Sequence, residues 1–171
     1  MRRTLLSASR GPDAGETMIR GLYETHIRVT DIARSRRFYE GALGLTAGWV
    51  SEEQRRVLYW VGPPGKTMLG IWQAPAEEVL RQHISFEIAL EDMKDAASFL
   101  KTKGIKGYNF IDKGPSAQVH GWMPAVSLYF DDPDGHLLEF IAMLPDKPRP
   151  DIGPVLWDEW NRIIQQSMVS R

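Results

Sequence analysis

The stretch LYFDDPDGHLLEFIAML, Leu128 to Leu144, holds two apolar runs around the turn Asp131-Asp132-Pro133-Asp134-Gly135. Proline and glycine at those offsets, between runs rich in aromatic and branched residues, predict a hairpin. Alternation along the second run puts Leu137, Glu139 and Ile141 on one face and Leu138, Phe140 and Ala142 on the other. A carboxylate at the centre of so apolar a strand is costly unless it meets a cation, either a paired side chain or a metal.

Working outward, the chain divides into short elements. A strand is predicted over Gly21–Val29 and a helix from Asp31 to about Ala42, capped by Asp31 or Thr30 and ended by Gly41 and Gly44. Strands are predicted at Thr46–Val50, Arg56–Val61 and Met68–Trp72. A polar linker, Pro75–Gln82, leads to a strand at His83–Leu90 and a helix from Met93 to about Lys103. Strands at Tyr108–Asp112, Ala125–Phe130 and Leu137–Ala142 complete the series. The order βαβββ occurs twice, with T-H-I-R-V at the first strand answered by Q-H-I-S-F at the second, so the chain reads as an internal duplication. The expected class is α+β, with tandem βαβββ modules at 21–74 and 83–144. One helix per module covers one side of a sheet and leaves the other free for a ligand.

Composition narrows the function. The 171 residues carry 21 basic and 22 acidic side chains, a balance that favours neither a nucleic-acid surface nor a funnel for charged substrates. The absence of cysteine removes disulfides and thiolate metal sites and suits a cytoplasmic protein. No apolar run is long enough for a membrane helix. Residues 1–20 read as an extension whose apolar segment is too short for a signal peptide. Beyond residue 144, a stiff Pro-rich linker (145–150) precedes an amphipathic helix with Leu156, Trp157, Trp160, Ile163 and Ile164 on one stripe. That stripe packs on its own module or grips a second subunit.

The chain resembles the vicinal oxygen chelate superfamily of glyoxalases, bleomycin-resistance proteins, fosfomycin-resistance enzymes and extradiol dioxygenases. The resemblance is carried by His26, Asp31-x3-Ser35-x2-Phe38-Tyr39-x3-Leu43-Gly44, His83 and Asp132-Pro133-Asp134-Gly135-His136-x2-Glu139. It implies that the modules form a partly closed sheet cup. It also implies one divalent metal per site, held by His26, His83 and Glu139, with Fe or Mn favoured and Zn, Ni or Co compatible. A small-molecule substrate binding through vicinal oxygens and a homodimeric assembly are implied as well.

Within the superfamily, aligning Thr67–Trp72 with His136–Ile141 sets Gly70 opposite Glu139, where metal-binding glyoxalase I enzymes carry a side-chain ligand. The segment His120-x7-Leu128-Tyr129-x2-Asp132-Pro133-x-Gly135-x3-Glu139 is similar to the extradiol dioxygenase signature, which implies catalytic roles for His120 and Tyr129. Arg28 shares the face of His26 by alternation and is a candidate for an anionic substrate or a salt bridge with Glu87 or Glu24. His136 is expected to be a solvated or turn-bonding residue. The leading expectation is an extradiol-dioxygenase-like metalloenzyme. A glyoxalase-like lyase or isomerase, a fosfomycin-type thiol transferase and a metal-free, ligand-sequestering binding protein of the bleomycin-resistance type remain as alternatives.

Overall fold

A computed structural model describes residues 18–169; residues 1–17 of the predicted extension (1–20) lie outside them. The strands are β1 (Glu24–Val29), β2 (Thr46–Ser51), β3 (Arg56–Val61), β4 (Thr67–Gln73), β5 (His83–Glu87), β6 (Gln118–His120), β7 (Ala125–Asp131), β8 (Leu137–Met143) and β9 (Val155–Leu156). The helices are α1 (Ile32–Arg36), α2 (Ala96–Thr102) and α3 (Trp157–Val169). The fold is α+β. One sheet has the order β1-β4-β3-β2 and the other β5-β8-β7-β6-β9. In each, the first strand of the βαβββ unit runs parallel to the fourth, and the remaining neighbours are antiparallel.

Each sheet buries one face. Ile27 and Val29 of β1, Val57 and Tyr59 of β3, and Leu69 and Ile71 of β4 face inward; Phe86, Val126, Leu128, Phe130, Leu138 and Ala142 do so in the second sheet. Tyr39 and Leu100 bring the two helical segments onto this common core. Alternation therefore turns Glu24, His26, Arg56, Leu58, Trp60, Gly70 and Trp72 to the opposite face of the first sheet. It does the same for His83, Ser85, Tyr129 and Glu139 in the second.

Asp31 caps α1 by accepting a hydrogen bond from Arg34 N at 3.0 Å, and the helix widens into a π turn over Arg37–Ala42. The second predicted helix is split, with a 3-10 turn at Asp92–Lys94 before α2. The predicted strand at Tyr108–Asp112 is a loop. Asn109 Oδ1 accepts from Ile111 N and Asp112 N, and its amide donates to Asp112, Gly114 and Ser116. These local side-chain bonds outcompete a ladder, and only Tyr108 bridges to Tyr129. The edge is built instead by β6, which pairs β7 on one side and β9 on the other.

The carboxyl-terminal segment packs on its own module. Val155 and Leu156 pair with β6, Trp160 is fully buried, and its Nε1 donates to Asp146 at 2.8 Å. None of the described helices is long and apolar enough to cross a membrane.

The turn between β7 and β8 ties the modules together. Tyr39 Oη donates to Asp132 at 2.8 Å, and Asp134 accepts from Thr30 and, at 2.6 Å, from Arg34. His136 is completely buried rather than solvated. Its Nε2 donates to the backbone oxygen of Arg28 at 2.8 Å, and its Nδ1 accepts from Gln82 N at 3.1 Å. The polar turn motif is a docking device, which explains why its histidine is inside.

Candidate metal centre

On the open face of the second sheet, β5 and β8 set Ser85 opposite Glu139, while β7 sets Tyr129 on the other flank of Glu139. Glu139 is only 4% exposed. Its Oε2 lies 2.9 Å from His83 Nε2 and accepts a hydrogen bond from Ser85 Oγ. The carboxylate at the centre of the apolar strand thus has an imidazole, not an arginine, as its partner. The His83 ring lies 6.2 Å from the Tyr129 ring, and Tyr129 Oη stands 2.8 Å from His120 Nε2. His83, Glu139, Tyr129 and His120 therefore form one connected group. Burial, with the charge of Glu139 second, pushes the Tyr129 phenol well above its ordinary value and keeps it protonated.

Phe110 closes one side of this group, its ring centroid 4.5 Å from that of Tyr129. Lys113 sits 4.3 Å above Phe110. Sequence reading missed this wall because it assigned the segment to a strand.

His26 stands on the open face of the first sheet. Its Nε2 contacts Glu24 Oε1, and its ring meets Trp72 edge-on at 4.5 Å. A trough of about 500 Å³ begins beside it, lined by Trp49, Leu58, Trp60, Met68 and Trp72, with the Arg56 guanidinium 4.0 Å over the Trp72 ring. Trp49 is 45% exposed at its rim. Arg28 pairs with Glu78 of the linker, not with Glu24 or Glu87.

The register corrects the equivalence of the two histidines. His26 pairs across to Gly70, and Ser85 pairs across to Glu139. Gly70 and Glu139 are matched positions in the duplication, so His26 matches Ser85, and the match of His83 is Glu24. Burial agrees: both strands run exposed, intermediate, exposed, buried, and end that pattern on Ile27 and Phe86. Glu24 was missed because the similar strings T-H-I-R-V and Q-H-I-S-F draw the eye to histidine. Counting back from the core-facing residue of each strand would have found it.

Among the described residues, no three His, Asp or Glu side chains of one chain converge as a metal-holding group. His83 and Glu139 stand together; His26 does not join them but stands with Glu24.

The sequence profile of the Glyoxalase/Bleomycin resistance protein/Dioxygenase superfamily matches residues 21–140. No curated protein matches. An integron cassette protein from the mobile metagenome of the Halifax Harbour sewage outfall is similar in structure at a TM-score of 0.63, with 32% identity over 73% of this chain and all of that one. The fosfomycin resistance protein FosX from Mesorhizobium loti matches at 0.53 with 22% identity, covering 75% of this chain and 96% of its own. The oxidase ChaP-H2 matches at 0.59 with 18% identity, covering 78% and 100%.

Proposed function

Because the chain belongs to the glyoxalase/bleomycin resistance protein/dioxygenase superfamily, we propose that it is a divalent-metal-dependent enzyme acting on a small substrate held through vicinal oxygens. The chemistry is extradiol-dioxygenase-like, on an aromatic diol. The observation that carries this reading is the nearly buried Glu139 carboxylate in contact with the His83 imidazole on an open sheet face. An unpaired carboxylate there would be costly, and an imidazole–carboxylate pair is a donor set suited to Fe, Mn, Zn, Ni or Co. His83 and Glu139 would hold the ion, with His26 contributed from the first sheet.

When bound, the metal supplies Lewis-acid activation of the two substrate oxygens. The protein's own part is proton handling and positioning. Tyr129, kept protonated, donates to His120 Nε2 and accepts through Oη from a substrate hydroxyl, so a proton leaving the diol passes toward His120. Phe110 and the tryptophans of the trough offer flat apolar walls for an aromatic ring. Dioxygen is the oxidant, and both of its atoms end in the ring-opened product.

Since His26 lies on a different sheet from His83 and Glu139 and does not join them within one chain, a complete site requires the first sheet of one copy to face the second sheet of another. The functional unit under this reading is a homodimer whose sites are shared between subunits. The test is metal analysis of protein purified without added metal or chelator, followed by oxygen uptake with catechols. Near-stoichiometric Fe or Mn, absent from His83→Ala, with catechol-dependent uptake supports the reading. Zn or Ni without uptake moves the assignment to lyase or thiol-transfer chemistry.

A second reading is favoured by one observation: the donors of a single chain do not converge, whereas its tryptophan trough stands ready-made. That is a metal-free protein sequestering an aromatic ligand. Failure of both wild type and His83→Ala to take up metal after reconstitution would select it.

A further inference from the structure

Phe110, the wall beside the Tyr129 phenol, is 46% exposed, so its own burial does little to hold it there. The loop that carries it is stiff inside. Asn109 is completely buried; its amide donates to Asp112 Oδ1, Gly114 O and Ser116 O, and its Oδ1 accepts from Ile111 N and Asp112 N. All of those partners belong to the loop, so these bonds set its shape and not its place on the sheet. Two ties set the place. Tyr108 exchanges backbone hydrogen bonds of 2.8 and 2.9 Å with Tyr129, and its hydroxyl donates to Asp131 at 3.1 Å. Two residues further on, Gln118 Oε1 accepts from Phe110 N at 2.7 Å.

Gln118 is held on both flanks. It is 1% exposed, and its backbone pairs with Ser127 of β7 on one side and Leu156 of β9 on the other. Beside it, Trp157 N donates to Ala117 O at 3.0 Å. Alternation sets its side chain on the face that carries His120 and Tyr129. We propose that Gln118 is a positioning residue: it fixes Phe110 against Tyr129 and so sets the wall on which the ring of the substrate rests. The proposal rests on the enzyme reading above. Without the Gln118 acceptor, the stiff loop is free to turn about the Tyr108 bridge and carry Phe110 off the site. Such a wall supports the ring equally in the bound substrate and in the transition state, so its loss raises KM and leaves kcat nearly unchanged. β9 and Trp157 lie beyond residues 21–140, the span that the superfamily profile matches. Through Gln118 the terminal segment takes part in substrate binding.

Gln118→Met removes the acceptor at nearly constant length, and Gln118→Asn keeps an amide but withdraws it from Phe110 N. Thermal melting of each controls for folding, and Phe110→Ala alters only a half-exposed side chain. Nitrocatechol is the probe, its absorption reporting binding to the metal-loaded protein; oxygen uptake with catechol gives KM and kcat. The expected result for both Gln118 variants is a rise of about three- to tenfold in the nitrocatechol Kd and in KM, with kcat within about twofold. Amide exchange at Phe110, read on the metal-free protein, should accelerate by about tenfold or more. In the Phe110→Ala background, Gln118→Met should weaken binding no further, because one residue acts through the other. Wild-type affinity in both Gln118 variants, unchanged exchange at Phe110, or the same loss with and without the Phe110 ring would overturn the proposal and leave the enzyme reading standing. A metal-loaded wild type that neither binds nitrocatechol nor turns over catechol would overturn the enzyme reading, and the role of the wall with it.

Discussion

His136 Nε2 donates to the backbone oxygen of Arg28 at 2.8 Å, joining the turn before β8 to the strand that carries His26. The same ring accepts from Gln82 N, next to His83. One buried imidazole thus fixes the strand ends that bear the proposed ligands of both modules. With Nε2 donating and Nδ1 accepting, the bonding requires the neutral tautomer.

Replacing His136 with phenylalanine keeps the volume and removes both bonds, leaving the partly buried Arg28 O and Gln82 N without these partners. A loss of about 2–4 kcal/mol is expected, because stranded buried polar groups cost more than the bonds themselves contribute. Urea unfolding monitored by tryptophan fluorescence measures it. A change within half a kcal/mol would mean that the turn docks through Asp132 and Asp134 alone.

Asp134 gives the acid limb of stability its sign. Its side chain is only 3% exposed. Burial alone would raise its carboxyl; the hydrogen bonds from Thr30 and Arg34 prevail and hold it below the ordinary carboxylate value. A folded value below the unfolded one means that this contribution is present above the unfolded carboxylate range and disappears as pH falls through the depressed folded value. Asp134→Asn should therefore lower stability at neutral pH by about 1–3 kcal/mol and flatten its fall in acid. Unfolding midpoints from pH 7 down to pH 3 compare the two, and parallel curves would refute the assignment.

Tyr129→Phe removes the partner of His120 while leaving the ring against Phe110 and His83. With the metal retained, turnover of a catechol should fall about 100-fold or more, the range of a lost proton-transfer group. Co²⁺ affinity should change little. A variant that loses metal and activity together would assign Tyr129 to the scaffold.

Trp160 pins the terminal helix to the second sheet through its buried ring and its bond to Asp146. Trp160→Ala should cost about 3–5 kcal/mol and expose the β6–β9 edge to amide exchange. Unchanged protection at Val119 would show that β9 holds without it.

The legibility of this molecule follows from which contacts are local. Alternation around Glu139, the Asp31 cap and the βαβββ repetition depend on neighbours in sequence, and the α+β fold with two four-strand units could be read from them. His136 could not be placed, because its partners, Arg28 and Gln82, arrive from the other module and the linker. The segment at Tyr108–Asp112 has strand composition, but Asn109 folds it with side-chain bonds that propensity does not register. At the candidate site, Glu139 stood out as a carboxylate in an apolar strand, His83, Tyr129 and His120 were singled out by the family resemblance, and the four are neighbours in the structure. Glu24 was overlooked because matching letters is a weaker guide to register than matching the buried residues Ile27 and Phe86.

The sharing of one metal site between two copies is tested most directly by co-expressing His26→Ala with His83→Ala and measuring bound Co²⁺. Each variant alone breaks both sites of its dimer. A mixed dimer recovers one intact site, so random pairing predicts about a quarter of the wild-type metal content. A mixture that remains as empty as its components would contradict the shared site.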